Sequence, residues 1–136
     1  MIFKTLIGSK KRAKTPKKYL IKWGSPSRSK IQFKTKRFLK KFWKDHVVFE
    51  EFPMVGSRLT FDFYNANKKI AVEVQGAQHL KYVPHFHGSS KSSFLSQVRR
   101  DQQKADFCKL NGITLIEIFS EEEIAKKTFK DQGIHL

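Results

Sequence analysis

The sequence predicts a mixed α/β (α+β) fold in which helices flank a mixed sheet of about four strands. Three strand-like segments follow one another at 47–54, 58–64 and 69–75. A helical segment at 94–110 then separates them from a strongly apolar segment at 113–119. Strand–helix–strand units within one sheet are almost always right-handed parallel crossovers. We therefore expect the third and fourth strands to be parallel neighbours.

The composition predicts one cytoplasmic domain with no membrane partner. The chain has 136 residues, of which 39% are hydrophobic, and this is enough for one packed core. Cys108 is the single cysteine, so no internal disulfide can form, as expected in a reducing compartment. No apolar run approaches the roughly 20 residues of a membrane span, and we expect no signal peptide.

The whole chain has a net charge of +16, and its positive charge is concentrated in the first third. Residues 1–45 hold 16 Lys and Arg against one acid, whereas residues 46–136 hold 12 against 11 acids. A basic segment suits a polyanion because each neutralised phosphate releases condensed counterions. We predict a basic N-terminal arm at 1–29, a domain at 30–136 and a nucleic-acid partner. A solubilising tail and an anionic membrane surface are the alternatives.

Residues 8–30 contain two prolines and many Lys, Ser and Gly, so we expect them to form an extended, poorly ordered arm. Its apolar stretch 19–23 can dock on the body, or Trp23 can stack on a base. Residues 30–46 place apolar side chains at helical spacing, with Ser29 as the N-cap. The predicted phosphate contacts are Lys10, Lys11, Arg12, Lys14, Lys17, Lys18, Arg28, Lys36, Arg37, Lys40 and Lys41.

Turn residues separate the three strand segments. Gly56-Ser57 lie between the first and second, and residues 65–67 (Asn-Ala-Asn) lie between the second and third. An antiparallel meander is the simplest arrangement of strands joined in this way. Residues 76–93 are rich in Gly, His and Ser and are predicted to form a loop.

Capping residues define the last elements of the chain. The helix at 94–110 is followed by Asn111-Gly112, which suits a helix C-terminus. The apolar segment after it predicts a buried strand. Ser120 and Glu123 have the spacing of a capping box, which predicts a final helix over about 121–131.

Two acids stand inside the strand segments. Because side chains alternate between the faces of a sheet, Asp62 should face away from Phe61 and Phe63. Glu73 and Gln75 should share one face of the next strand. If these strands pair, the two carboxylates can converge, and they then repel each other unless a cation lies between them. Carboxylate oxygens suit Mg²⁺ or Mn²⁺. A solvated sheet face is the alternative for such acids.

A longer pattern carries a resemblance to a known family. Asp62 in an Asp-Phe strand precedes residues 73–79 (Glu-Val-Gln-Gly-Ala-Gln-His), a helix with Asp101 and Lys104, and the strand at 111–118. This order, over about residues 47–119, resembles the PD-(D/E)XK nuclease superfamily. It is most similar to the very-short-patch-repair-like branch, which includes phage homing endonucleases. The resemblance implies a restriction-endonuclease-like core and a metal-dependent endonuclease acting on double-stranded DNA in a bacterial or phage-infected cell.

The resemblance also implies roles for individual residues. Asp62 and Glu73 would ligate Mg²⁺ or Mn²⁺, with the carbonyl of Val74 as a third ligand. Gln75 stands where the family usually has a lysine, so it can orient water but carries no charge. His79 would then handle proton transfer, since imidazole titrates near neutral pH.

Two further acids belong to the implied catalytic set. Asp101 would orient a group at the site or ligate the metal, or it forms a salt bridge within its own helix. Either Glu50 or Glu51 would supply another acid, and we prefer Glu51 although the pattern hardly separates them.

Several alternatives stay open at this stage. The protein could be a non-catalytic nucleic-acid-binding protein, or a Holliday-junction resolvase within the nuclease class. A monomer with one site nicks one strand, so cutting both strands needs a homodimer or two visits. The histidine-rich loop could instead contribute to a zinc site, although the spacing of the candidate ligands fits no known zinc pattern. Its candidate ligands are His79, His85, His87 and Cys108.

Overall fold

The computed structural model describes residues 1–75 and 91–136. Six strands and three α-helices are present in these ranges. The strands are β1 (Ile2–Lys4), β2 (Lys10–Arg12), β3 (Val48–Pro53), β4 (Thr60–Asn65), β5 (Ile70–Val74) and β6 (Thr114–Ile118). The helices are α1 (Lys30–Trp43), α2 (Lys91–Leu110) and α3 (Lys126–Lys130), and short 3-10 turns cover Pro16–Tyr19 and Glu121–Glu123.

The central sheet confirms the predicted meander and the parallel crossover. Its strand order is β3-β4-β5-β6. The first two pairings are antiparallel, and β5 pairs with β6 in parallel, with Glu73 opposite Glu117. The mixed sheet of four strands with flanking helices is therefore confirmed as a fold class.

Helix α1 begins where the sequence predicts. The Ser29 side chain accepts a hydrogen bond from the Gln32 backbone N–H, so the predicted N-cap is confirmed. The helix ends at Trp43, three residues before the predicted end. Helix α2 begins at Lys91, inside the segment predicted as loop, and ends at Leu110 as predicted.

The final helix differs from the prediction, which placed one helix over 121–131. The chain forms a 3-10 turn and then the five-residue helix α3. Glu123 accepts a hydrogen bond from the backbone N–H of Phe119 at 2.7 Å, whereas Ser120 caps neither piece with its side chain. The predicted capping box does not form, because Glu123 accepts from Phe119 rather than from Ser120, and the backbone leaves helical geometry at Ile124.

The expectation of a poorly ordered arm at 8–30 is wrong for residues 10–12, which form strand β2. Strands β1 and β2 form an antiparallel hairpin, whose turn is closed by a hydrogen bond from Gly8 to Thr5. Phe3 is buried, with its ring 5.7 Å from that of Phe107. Thr5 packs so closely on Gly56 that a Cβ there would lie 2.9 Å from the threonine methyl. The hairpin is therefore part of the packed structure.

The predicted docking of the apolar stretch 19–23 is confirmed. The Tyr19 ring lies 6.2 Å from that of Phe52. Leu20 forms an isolated bridge with Phe49, and the Ile21 backbone N–H donates to the Val48 carbonyl. Trp23 packs at the edge of a core cluster.

Two hydrophobic clusters cover the two faces of the sheet. One joins the hairpin and α2 to the sheet, through residues such as Phe3 and Phe107. The other joins α1 and α3 to it, through residues such as Trp43 and Phe129. The four-stranded sheet is thus a middle layer, and polar residues that reach its interior must be satisfied there.

Candidate active site

The alternation of side chains breaks at one point of the sheet. The ladder between β3 and β4 pairs Glu50 with Phe63 and Phe52 with Phe61, and it omits the pair between them. At that point Glu51 has φ +53°, a conformation that a non-glycine residue rarely adopts. Such a residue costs about 1–3 kcal/mol and is held by its surroundings.

This break changes the orientation of Asp62, the acid on β4. Phe61 lies in the cluster under α2, whereas Phe63 lies in the cluster under α1. The prediction that Asp62 faces away from both rings is therefore wrong, because it assumed strict alternation along β4. Asp62 instead directs its carboxylate along the sheet, toward β5.

The carboxylates of Asp62 and Glu73 meet between β4 and β5. Asp62 Oδ2 accepts a hydrogen bond from the Val74 backbone N–H at 2.7 Å. Glu73 Oε2 accepts one from the Asp62 backbone N–H at 2.8 Å. Each acid thus bonds to the other strand, beyond the last backbone pair of Phe63 with Val72. The structure brings together the two acids that the sequence singles out.

Burial and mutual repulsion perturb both acids. Glu73 is 5% exposed, and burial, followed by the charge of Asp62, raises its pKa to about 7. Lys104 on α2 forms an ion pair with Glu73 Oε1 and acts against this rise. Burial also raises the pKa of Asp62, while its hydrogen bond from Val74 lowers it. The pair therefore holds less negative charge at neutral pH than two exposed acids would.

Glu50 and Glu51 have different ion-pair partners. Glu50 forms a buried ion pair with Lys36 of α1, with a distance of 2.7 Å between Oε1 and Nζ. Glu51 forms an ion pair with Arg28 and accepts a hydrogen bond from Gln32 at 3.0 Å. The charge of Glu51 contributes to raising the pKa of Asp62. Of the two, Glu51 is the acid whose charge acts on Asp62, and its catalytic role stays a prediction.

Gln75 and Glu117 extend the site along β5 and β6. Gln75 is buried, and its Nε2 donates to Glu117 Oε2 at 3.1 Å. Glu117 lies opposite Glu73 in the parallel register, on the face that α2 covers. Glu117 was not among the predicted residues, although it is the one acid inside an otherwise apolar strand.

The remaining predicted residues are only partly described. Asp101 lies on α2, one turn before Lys104. His79, His85 and His87 lie outside the described residues, so their predicted roles stay predictions. Cys108 is buried in the core, where burial raises the pKa of its thiol to about 12. This thiol is protonated at neutral pH and is a poor zinc ligand in that state.

Lys104 and Arg28 are the cations that sequence reasoning did not place in the site. Lys104 was named only as part of a helix motif, and Arg28 only as a phosphate contact. Their pairing with Glu73 and Glu51 depends on how α2 and the segment before α1 pack. The spacing of Asp101 and Lys104 is a signal for the first, whereas no sequence signal points to the second.

The acids fit a hard divalent cation in their chemistry. Residues 1–75 and 91–136 contain no group of three His, Cys, Asp or Glu side chains placed to hold a metal ion. Mg²⁺, however, commonly takes one or two carboxylates and fills its shell with water and substrate phosphates. Among the described residues, no group donates a hydrogen bond to Asp62 Oδ1.

Apart from Lys36 and from Arg28, which pairs with Glu51, the predicted phosphate contacts fall into three groups. Lys10, Lys11 and Arg12 lie exposed on β2, and Lys14, Lys17 and Lys18 follow in and before the first 3-10 turn. Arg37, Lys40 and Lys41 are exposed on α1. The prediction of a phosphate contact is wrong for Lys36, because its side chain is fully buried and its ammonium bonds to Glu50 and to the Ser25 carbonyl.

Comparison with known proteins finds relatives in viruses. The chain is 45% identical over 60 residues to uncharacterized protein 307L of Invertebrate iridescent virus 6, covering 44% of this chain and 30% of that protein. It is 39% identical over 66 residues to uncharacterized protein 094L of Frog virus 3 (isolate Goorha), covering 48% and 43%. It is 31% identical over 100 residues to uncharacterized protein 033L of Invertebrate iridescent virus 3, covering 70% and 51%.

The chain therefore spans between about a third and a half of the length of these relatives. No family model matches it. No solved structure is similar enough to count as a match. Within the described parts of the chain, no helix combines the length and the apolar character that a membrane span requires.

Proposed function

We propose that the protein is a metal-dependent DNA endonuclease that hydrolyses phosphodiester bonds. The observation that supports this most is the meeting of the Asp62 and Glu73 carboxylates between β4 and β5. A structural role gives no reason to bury two acids side by side, because each raises the free energy of the other's ionised form. A site that binds a divalent cation gives one. Buried acids with perturbed pKa values are also typical of functional sites.

In this proposal Asp62 and Glu73 hold Mg²⁺ or Mn²⁺, and the carbonyl of Val74 is a further ligand. The bound ion would stabilise negative charge on the phosphate and lower the pKa of an attacking water. Gln75 donates its amide N–H to Glu117, which leaves the amide oxygen to accept a hydrogen bond from that water. Asp101 and His79 keep their proposed roles in orienting groups and moving a proton.

Lys104 supplies the positive charge that Gln75 lacks. In the described state its ammonium neutralises Glu73. If Glu73 held a divalent cation, the Lys104 ammonium would be free to pair with a phosphate oxygen of the substrate. Glu51 and Arg28 form a second ion pair beside Asp62, where the arginine can act in the same way.

Exposed cations on β2 and α1 would hold double-stranded DNA against this site through its phosphates. Phosphate contacts fix position without reading sequence, so they suit either a nicking enzyme of the homing type or a repair enzyme. The relatives are proteins of viruses named for invertebrate and frog hosts, which supports an origin in a viral genome and gives no support to a phage in particular. A homodimer would allow both strands to be cut.

The test is the nicking of supercoiled plasmid DNA with Mg²⁺ or Mn²⁺. Asp62→Asn and Glu73→Gln each keep the size of the side chain and remove its charge. We expect each to slow nicking by more than about a hundredfold, because even outer-shell partners of a metal site contribute 10–100-fold. Asp131→Asn is the matched control, since Asp131 is an exposed acid at the C-terminal end of α3. A wild-type protein that leaves DNA intact with both ions refutes the proposal.

A non-catalytic nucleic-acid-binding protein is the second candidate. It is favoured by the net charge of +16 and by the ion pair that already satisfies Glu73 without a metal. For a pure binder, Asp62→Asn should tighten DNA binding slightly and no variant should affect strand integrity. A four-way junction among the nicking substrates separates a resolvase from an enzyme that cuts plain duplex.

A further inference from the structure

A groove lined by aromatic rings and cations runs between residues 23–30 and helix α1. Two adjoining parts of about 610 and 540 Å³ share Gly24, Phe33, Lys34 and Arg37. The aromatic residues that line the first part are Trp23, Phe33 and Phe38. The cations that line the two parts are Arg28, Lys30, Lys34, Arg37, Lys40 and Lys41.

The charge of this groove has one sign. None of the residues that line either part is acidic. Lys34 has an ion pair with Glu121, but both side chains are more than half exposed, so solvent screens that pair. Arg28 is paired with Glu51 at the end of the groove that faces the candidate active site. We therefore expect a ligand that fills the groove to carry several negative charges along its length.

Phe33 is the ring that packing does not explain. Phe38 packs against Phe42 and Phe129, with ring centroids 5.2 and 6.1 Å apart, and Trp23 packs on the cluster under α1. Phe33 belongs to neither hydrophobic cluster and makes no ring contact with another aromatic residue of the described chain. It is only partly buried, and it lies where the two parts of the groove join.

We propose that this groove binds single-stranded DNA, as an unpaired strand of the substrate. Aromatic rings that stack on bases, set among cations that follow the phosphates, are the recurring features of single-strand binding sites. Base pairs in a duplex cover one another's faces, so duplex DNA can contact the exposed cations but offers no free base face to the partly buried ring of Phe33. The role as a substrate site rests on the nuclease function proposed above, whereas the binding itself does not.

The position of the groove explains what it adds to that function. The second part of the groove is lined by residues 26–30, which include Arg28. Arg28 contacts Glu51, and the charge of Glu51 acts on Asp62. A strand held in the groove is thereby led toward the paired carboxylates. The preferred substrate is then DNA with an unpaired or splayed segment next to the bond that is cut.

Binding is tested with the full chain and a labelled oligothymidine of about twelve nucleotides, by fluorescence anisotropy in EDTA. Without a divalent cation no cleavage can interfere. We expect Phe33→Ala to weaken binding by about 5- to 150-fold, since stacking on one base contributes that much. Phe33→Trp should retain binding. Phe33→Leu keeps an apolar side chain without a ring and should behave like the alanine variant.

The dependence of binding on salt tests the cations of the groove. Arg37→Ala should reduce the slope of log K against log salt by about 0.7, the value for one phosphate contact on a single strand. Lys109→Ala is the matched control, because Lys109 is an exposed cation on α2, on the other side of the sheet. It should leave the slope unchanged.

Three results would overturn the proposal. One is equal binding by wild type and Phe33→Ala. A second is a matched duplex whose binding Phe33→Ala weakens as much as it weakens binding of the single strand. A third is an oligouridine RNA that binds more tightly than the DNA. A protein that binds the single strand through Phe33 but never nicks DNA with Mg²⁺ or Mn²⁺ refutes the nuclease function and leaves the groove assignment standing.

Discussion

At the scale of single residues, the candidate site depends on two acids, each of which bonds to the backbone of the other's strand. Asp62 and Glu73 were recognisable as charged residues among β-forming ones. Their exchange of hydrogen bonds with the opposite backbone depends on the break beside Glu51, which alternation rules do not predict. The pairing of Lys104 with Glu73 depends on the placement of α2, a tertiary contact across 31 positions. Local spacing carries no information of that kind.

Glu73 should make stability depend on pH. Its pKa in the folded protein is raised from 4.5 to about 7. The folded state therefore binds the proton more tightly than the unfolded state, and this contribution to stability is lost as pH rises from about 4.5 to about 7. We expect the free energy of unfolding of Glu73→Gln, relative to wild type, to increase across this window. The increase is at most on the order of 3 kcal/mol.

Urea denaturation at a series of pH values measures this difference. Asp131→Asn serves as the control, because its carboxylate is exposed and its loss should change stability little. A difference between Glu73→Gln and wild type that is constant from pH 4.5 to pH 8 would contradict the assignment of the raised pKa to Glu73.

At the scale of elements, the order and bounds of the sheet strands and of α1 and α2 were largely predictable. Hydrophobic periodicity, Ser29 and the Gly and Asn turns carried that information. The hairpin of β1 and β2 was missed because its strands have three residues each and β2 is Lys-Lys-Arg, with no alternation. It is held by the burial of Phe3 on Phe107, a contact between distant parts of the chain.

The break between β3 and β4 should respond to backbone substitution at Glu51. Glu51→Gly and Glu51→Val both remove the ion pair with Arg28, so the difference between them reports the backbone alone. We expect the glycine variant to be more stable by at least about 1–2 kcal/mol, because a β-branched residue is disfavoured at positive φ. Chemical denaturation measures this difference. Equal stability of the two variants, or a more stable valine variant, would contradict the positive φ.

At the scale of the whole molecule, the charge separation seen in the sequence has a structural counterpart. The cations of residues 1–45 lie on the hairpin, on the segment after it and on one exposed side of α1. The acids of the candidate site lie inside the sheet, between the layer of α2 and the layer of α1. Lys36 shows that positive charge in the sequence does not by itself identify a phosphate contact, since Lys36 is a fully buried partner of Glu50.

The central claim is that the paired carboxylates of β4 and β5 bind a divalent cation, and Mn²⁺ binding measured by electron paramagnetic resonance at pH 8 tests it most directly. At this pH Glu73 is ionised, and the signal of free Mn²⁺ falls when the ion binds. We predict saturable binding by wild type and by Asp131→Asn, and its loss in both Asp62→Asn and Glu73→Gln. Equal Mn²⁺ binding by all four proteins, or none by wild type, would contradict the account.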